Sequence, residues 1–189
     1  MSNIRELAPS LLWQYFDEIC KIPRSSKHEE QVVEYVKSVG RNLGLETIED
    51  QGGNVTIRKR ATSGFENRQT VILQAHLDMV PQKNSSVKHD FLKDPIVPKI
   101  AGDWVMATNT TLGADNGIGV ASILAILASK DIKHGNIEAL FTIDEETGMT
   151  GALNLQPRLL KGTILINTDT EDDTEVVVDK SIVCPLIPT

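Results

Sequence analysis

The sequence predicts an α/β fold with a mainly parallel sheet flanked by helices. Three short apolar runs, residues 71–73, 137–143 and 163–167, have the length and composition of buried strands. Segments with apolar residues at helical spacing lie before and between these runs. Because strands that alternate with helices form parallel sheets, the three runs are expected to lie in one sheet.

The helices before the first run follow from apolar periodicity and from turn residues. Residues 9–19 have the spacing of a helix, which Pro23 stops. A second helix is expected to be capped by Ser25 or Ser26 and closed by Gly44.

Two strand pairs and two loops follow from glycine positions and polarity. Residues 45–49 and 54–59 predict a strand pair around a double glycine, and residues 96–107 predict a hairpin. The polar segments 61–68 and 80–94 are expected to be loops.

Two later helices complete the predicted pattern. The run 118–129 is almost wholly apolar and predicts a buried helix. Residues 152–160 predict another helix, around Pro157.

The composition excludes two classes of partner. The chain has 26 acidic and 19 basic residues, a net charge of −7, so it lacks the basic face of a nucleic-acid binder and the polybasic patch of a membrane binder. No apolar run is long enough to span a bilayer. Cys20 and Cys184 make neither a disulfide framework nor a metal knuckle. A cytoplasmic location is therefore expected.

Side chains able to bind a metal follow each of the three apolar runs. His76 and Asp78 come after the first, Glu145 and Glu146 after the second, and Asp169 after the third. Residues i and i+2 of an extended chain point to the same side, so His76 and Asp78 are expected to project together. The carboxyl ends of parallel strands meet at one edge of a sheet, and we expect these groups to converge there.

A further acidic residue, Asp115, lies in the loop before the buried helix. Each residue also has an ordinary interpretation: Asp115 as a helix N-cap, Glu145 and Glu146 as solvated turn residues, and Asp169 as part of an acidic surface run. Four apolar elements that all end in such groups favour a shared metal site instead. One histidine with several carboxylates suits zinc, and also cobalt or manganese.

The adjacent carboxylates Glu145 and Glu146 indicate hydrolysis. One can ligate a metal while the other takes the proton of the attacking water. Two metals bridged by one carboxylate, for which Asp115 is the candidate, would polarise a carbonyl group.

Four motifs resemble those of the di-zinc aminopeptidase/carboxypeptidase/aminoacylase superfamily. They are His76-Leu77-Asp78-Met79-Val80, Gly113-Ala114-Asp115-Asn116-Gly117, Asp144-Glu145-Glu146-Thr147-Gly148 and Asn167-Thr168-Asp169. The sequences of residues 80–83 and 110–117 are most similar to those of the bacterial aminoacyl-histidine dipeptidase branch, also called peptidase D or cytosolic non-specific dipeptidases. The resemblance extends from the N-terminus to about Glu171.

This resemblance implies a ligand set. His76, Asp115 and Asp169 would bind one zinc, and Glu146 with Asp115 would hold a second, so that Asp115 bridges the two.

It also implies two catalytic roles and a reaction. Asp78 would orient His76, and Glu145 would act as the general base. The reaction would be hydrolysis of dipeptides, with X-His substrates preferred. Members of the family dimerise through a separate domain.

Members of the superfamily are longer than this chain. Residues 1–175 are therefore expected to be the N-terminal part of the catalytic domain, and 176–189 an atypical tail. The lid and dimerisation domain and the C-terminal catalytic segment, with its histidine for the second zinc, are expected to be absent. The remaining histidines, His28, His89 and His134, lie in no motif that would replace it.

Two other functions remain as alternatives. A truncated, catalytically inactive remnant would bind at most one zinc, through His76, Asp115 and Asp169. A nucleotide-binding domain would use residues 113–119 as its phosphate loop, but that run lacks both the Gly-x-Gly-x-x-Gly order and the Gly-Lys-Ser/Thr ending.

Overall fold

Residues 3–156 and 158–169 are described by the computed structural model, and they form a sheet covered by helices. The elements, in chain order, are α1 (Ser10–Cys20), α2 (Glu30–Asn42), β1 (Glu46–Glu49), β2 (Val55–Lys59), β3 (Val71–His76), β4 (Pro98–Ala101), β5 (Trp104–Ala107), α3 (Ala114–Ala128), β6 (Ile137–Thr142), α4 (Thr150–Leu153) and β7 (Ile164–Asn167).

Five of the strands form one sheet in the order β1-β2-β6-β3-β7. The strand β3 pairs in parallel with both β6 and β7, whereas β1, β2 and β6 pair antiparallel. The predicted α/β class is confirmed, and the sheet is mixed because the strand pair β1-β2 adds to the parallel part at one side. The carboxyl ends of β6, β3 and β7 lie at the same edge of the sheet, which we call the rim.

The main core lies between the sheet and the helices α1, α2 and α3. Phe16 of α1, Leu124 of α3 and Phe141 of β6 are fully buried there. The helix α3 packs against both α1 and β3, which explains why it is apolar on nearly all sides. On the other face of the sheet, Ile72, Leu140 and Leu155 form a smaller core.

The predicted strand pairs are confirmed. The strands β1 and β2 are joined through the glycine turn, and β4 pairs with β5 as a separate antiparallel hairpin. Residues 61–68 and 80–94 contain neither helix nor strand, as predicted. Within the described ranges, no helix combines the length and the apolarity needed to cross a membrane.

The predicted serine cap of α2 is wrong. The helix begins at Glu30, and no side chain caps its first turn. Ser25 instead forms an isolated parallel bridge with Met79, and the Ser26 hydroxyl donates to Asp78. Both serines therefore serve contacts far along the chain, which a cap prediction based on local sequence does not include.

The predicted helix 152–160 is also wrong. In the described part of this segment, the helical residues are those of the single turn α4, which begins after Met149 in the left-handed conformation. Helical geometry is disfavoured for the residue before a proline. Gln156 is therefore not expected to continue this helix. Pro157 itself and the predicted tail 176–189 lie outside the described residues.

Gly40 allows α2 to approach the sheet closely. A Cβ atom there would collide with the Thr47 hydroxyl and would lie 2.9 Å from Ile57 Cδ1. In an open helix, Gly40→Ala would stabilise by up to about 1 kcal/mol. Here we expect a loss of about 1–3 kcal/mol in the free energy of unfolding, because the core is overpacked.

Urea denaturation of the Gly40→Ala protein measures this loss. The double substitution Gly40→Ala, Thr47→Ala is the control, because it removes the nearest obstacle and should recover part of the stability. A gain in stability from Gly40→Ala alone would contradict the close packing of α2 on the sheet.

Candidate metal centre

The strand β3 ends at the rim in the predicted pair His76 and Asp78. Both side chains are buried, with 1% and 0% of their surface exposed. The His76 Nδ1 atom lies 3.2 Å from Asp78 Oδ1, so the carboxylate holds this nitrogen of the imidazole. The other nitrogen, Nε2, faces the rim.

Asp78 also binds the end of the neighbouring strand β6. Its carboxylate accepts the backbone N–H groups of Glu145 at 3.0 Å and Glu146 at 3.1 Å, and the Ser26 hydroxyl at 2.7 Å. Burial alone would raise the pKa of Asp78, but these donors and His76 outweigh it and lower the pKa to about 2. Asp78 is therefore an ionised, fully buried acceptor that fixes two strand ends together.

Asp115 reaches the same place from the start of α3. Gly113 precedes the helix in the left-handed conformation, and Asp115 itself is extended, with φ −78° and ψ 117°. The Asp115 Oδ1 atom lies 2.9 Å from His76 Nε2. The structure does not show Asp115 as a helix cap: its side chain faces His76 and, among the described residues, it accepts no backbone N–H of α3.

The end of β7 brings Asp169 to the rim. Its Oδ2 atom lies 3.7 Å from His76 Nε2. The Thr168 hydroxyl donates to Asn116 Oδ1 at 3.0 Å, and this contact ties the end of β7 to the first turn of α3. The structure thus places the carboxylates of Asp115 and Asp169 next to the same imidazole nitrogen.

Glu145 and Glu146 complete two groups of possible metal ligands. One group contains His76, Asp115 and Glu146, and the other contains His76, Glu145 and Asp169. Within each group the ligand atoms lie within 4.8 Å of one another. All the predicted ligand residues therefore converge, and Glu145 lies with His76 and Asp169 although it was predicted to be the base.

The electrostatics of the rim fit a divalent cation. Burial raises the pKa of Glu145, of Glu146 and of Asp169, and for each of them the negative charge of Asp115 raises it further. Burial lowers the pKa of His76, but the neighbouring carboxylates outweigh it and raise the pKa to about 9. An imidazole nitrogen among mutually repelling carboxylates is a nitrogen and oxygen donor set that suits zinc.

The remaining histidines do not join the site in the part of the chain that the structure describes. Neither group of possible ligands contains a histidine other than His76. His134 Nδ1 lies against the carbonyl of its neighbour Gly135, at 2.7 Å.

Three polar residues behind the rim were not predicted from the sequence. Arg24, Ser26 and Glu29 all lie in the loop between α1 and α2, where we predicted only a helix cap. Glu29 is buried and accepts the backbone N–H of Asp144 at 3.0 Å. Their partners are about 50 to 115 positions away in the sequence, so no local spacing identifies them.

Comparisons with known proteins identify a family and similar proteins. Residues 72–178 match peptidase family M20/M25/M40. The chain is similar to the cytosol non-specific dipeptidase of Escherichia coli (strain K12), with 54% identity over 176 residues. It is similar to the crystal structure of aminoacylhistidine dipeptidase from Vibrio alginolyticus, with 58% identity and a TM-score of 0.89. The structure of the aminopeptidase PepT from Bacillus cereus gives 25% identity and a TM-score of 0.72.

These alignments cover most of this chain and a minority of each relative. The Escherichia coli alignment includes 93% of this chain and 36% of the relative, and the Vibrio alignment includes 91% and 35%. The PepT alignment includes 86% and 43%. The chain therefore spans about a third of the length of the first two relatives.

The substitution Asp78→Asn tests the buried acceptor at the rim. An amide group would face its own N–H donors toward the donors that Asp78 accepts, so we expect the free energy of unfolding at pH 7 to fall by about 3 kcal/mol. The pKa of Asp78 is below its unfolded value of 3.8. The contribution of Asp78 to the free energy of unfolding is therefore present above about pH 4 and is lost as the pH falls toward 2.

Urea denaturation at several pH values measures this difference. Asp90→Asn is the matched control, because the Asp90 side chain is half exposed and pairs with Lys93 at the surface. We expect it to change stability by less than about 1 kcal/mol. Equal losses for the two variants, or a loss for Asp78→Asn that is unchanged at pH 2, would contradict the role of Asp78.

Proposed function

The chain belongs to peptidase family M20/M25/M40, and on this basis we propose that the rim is the zinc centre of a dipeptidase. The resemblance predicted from the four motifs is confirmed by this family membership. The named activities belong to the longer relatives, a cytosol non-specific dipeptidase and an aminoacylhistidine dipeptidase. For this chain we propose dipeptide hydrolysis with X-His substrates preferred, and the cytosol as its location.

The observation that carries this proposal is the position of the His76 imidazole. Its Nδ1 atom is held by the buried Asp78, while its Nε2 atom faces Asp115 at 2.9 Å and Asp169 at 3.7 Å. A metal-binding histidine commonly donates its other N–H to a carboxylate in this way, which fixes the ring and its tautomer. A surface histidine with a local partner would not require four converging carboxylates.

The assignment of ligands follows this geometry and the resemblance. His76, Asp115 and Asp169 would hold one zinc, and Glu146 with Asp115 would hold the second. Zinc bound at these residues would supply the Lewis acidity needed to polarise a peptide carbonyl. Cobalt and manganese accept the same nitrogen and oxygen ligands and are expected to substitute.

The chain's own residues supply the proton transfer and its alignment. We assign Glu145 as the general base that takes a proton from the attacking water. Burial and nearby negative charges raise its pKa, which moves it toward the range useful for a base at neutral pH. The hydrogen bond from the Glu145 backbone N–H to Asp78 fixes the base relative to His76. Asp78 thus orients both the ligand and the base.

A second candidate function uses the same residues. In the described part of the chain, His76 is the sole histidine in the groups of possible ligands. A chain that binds one zinc through His76, Asp115 and Asp169 and hydrolyses nothing is consistent with that ligand set. Metal content and hydrolysis measured on the same samples separate the two functions.

Substitution of the adjacent glutamates tests the role of each. Glu145→Gln should keep the zinc content of the purified 189-residue chain and reduce hydrolysis of alanyl-histidine by at least about 100-fold, the usual loss on removing a general base. Glu146→Gln is the matched control at the adjacent position, and it should lose zinc. Elemental analysis after dialysis gives zinc per chain, and chromatography of the released amino acids gives the rate.

The outcomes have distinct meanings. Loss of zinc in Glu145→Gln would show that Glu145 is a ligand and that the assignment of the base is wrong. About one zinc per chain without hydrolysis in the unsubstituted protein would support the second candidate. No zinc in a folded protein whose His76→Ala variant behaves identically would reject both.

A further inference from the structure

The guanidinium of Arg24 is buried directly behind the rim. The residue is 2% exposed and lies in the loop between α1 and α2. Its Nη1 atom donates to the carbonyl oxygens of Leu77 and Asp78, both at 2.9 Å, and its Nη2 atom donates to the carbonyl oxygen of Gly113. All of these partners are backbone atoms, and among the described residues Arg24 forms no direct ion pair.

A buried arginine without a direct ion pair is costly to the fold, which makes its placement informative. Burial lowers the pKa of Arg24 to about 10, so it remains charged at neutral pH. The nearby carboxylates Asp78, Asp115 and Glu146 favour this charge without touching it. A leucine or methionine would fill a core position of this size at lower cost, so the three carbonyl contacts call for a further explanation.

The three carbonyl groups belong to the two segments that carry His76 and Asp115. Leu77 and Asp78 follow β3, whereas Gly113 is the residue before α3. A single rigid guanidinium therefore spans the gap between the two segments. The backbone carbonyl of Arg24 also accepts the backbone N–H of Met79 at 3.1 Å. Arg24 therefore binds the segment after β3 through both its side chain and its backbone.

The glycines around Asp115 leave space for this guanidinium. A Cβ atom at Gly117 would lie 2.6 Å from Arg24 Nη2, and a Cβ atom at Gly113 would also collide with that atom. Gly113 has φ +69°, which disfavours other residues independently. At Gly117 the φ angle gives no such reason, so the space taken by Arg24 accounts for glycine there.

We propose that Arg24 is a positioning residue of the metal centre, which sets the separation between His76 and Asp115 by binding the backbone on both sides. This matters because the Asp115 side chain is 67% exposed, so its position depends on the backbone that carries it. The inference rests on the proposed metal site, but its effect on the backbone is measurable without metal.

A residue that only stabilises the fold would give a different result, and Arg58 provides the comparison. Arg58 lies on β2, where it binds Glu138 at 3.0 Å, Glu46 at 2.8 Å and the carbonyl of Leu159. It pairs with Glu138 near the start of β6, whereas the rim follows the end of β6. Arg58→Met should therefore lower stability and leave the rim intact.

The experiment compares Arg24→Met, Arg24→Lys and Arg58→Met in the 189-residue chain. Cobalt affinity is measured by titration of the visible absorption of bound Co²⁺, and urea denaturation gives stability. We expect Arg24→Met to weaken cobalt binding by about 10- to 100-fold, the range found for residues that orient metal ligands. The cobalt affinity of Arg24→Lys should lie between those of Arg24→Met and the unsubstituted chain, because one ammonium group reaches fewer carbonyls. Arg58→Met should bind cobalt normally.

Hydrogen exchange in the metal-free chain gives the second readout. The backbone N–H groups of Glu145 and Glu146 donate to Asp78, whose own carbonyl Arg24 holds. We expect these two amides to exchange at least about tenfold faster in Arg24→Met, because local opening becomes easier. In Arg58→Met, we expect their exchange rates to change only as much as the lower global stability requires.

The results separate failure of this inference from failure of the proposed function. If the unsubstituted chain binds no cobalt, the metal proposal fails, and hydrogen exchange alone decides the role of Arg24. Normal cobalt affinity and normal exchange in both Arg24 variants would overturn the inference. If Arg24→Met does not fold, Arg24→Lys decides in the same way, and unfolding of both would assign Arg24 to the fold and also overturn it.

Discussion

The carboxylate of Asp78 is the interaction on which the rest of the site depends. It is fully buried, and it accepts hydrogen bonds from the His76 ring, the Ser26 hydroxyl and the backbone of Glu145 and Glu146. An ionised acceptor in a buried position is stable only when its donors are all in place. The same requirement that keeps Asp78 paired therefore fixes the histidine at the end of β3 beside the two glutamates at the end of β6.

The sheet supplies the arrangement within which Asp78 acts. The strands β6, β3 and β7 are parallel neighbours, so their carboxyl ends meet at one rim although they are far apart in sequence. The loop between α1 and α2 lies behind that rim. Through Arg24, Ser26 and Glu29 it contacts the residues that follow β3 and β6 and the residue before α3. Strand topology brings the groups to the same edge, and the buried loop sets their separations.

The fold class and the convergence of these side chains at the rim could be predicted because their signals are local. An apolar run followed by His76 and Asp78 indicates a strand end, and the repetition of this pattern indicates a shared rim. The residues behind the rim could not be predicted, because a buried residue such as Arg24 binds backbone atoms that no sequence pattern identifies. The cap predicted at Ser26 failed for this reason, since its hydroxyl serves Asp78. The predicted helix 152–160 was wrong because it includes Pro157, and the residue before a proline disfavours helical geometry.

The most direct test of a metal centre at this rim is the position of zinc in a crystal of the chain. Crystals grown with zinc and measured on both sides of the zinc absorption edge locate the ion by its anomalous signal. We expect a peak about 2.0–2.2 Å from His76 Nε2 and from a carboxylate oxygen of Asp115, the usual zinc–nitrogen and zinc–oxygen distances. A well-ordered rim without a peak, or zinc bound at other residues alone, would contradict it.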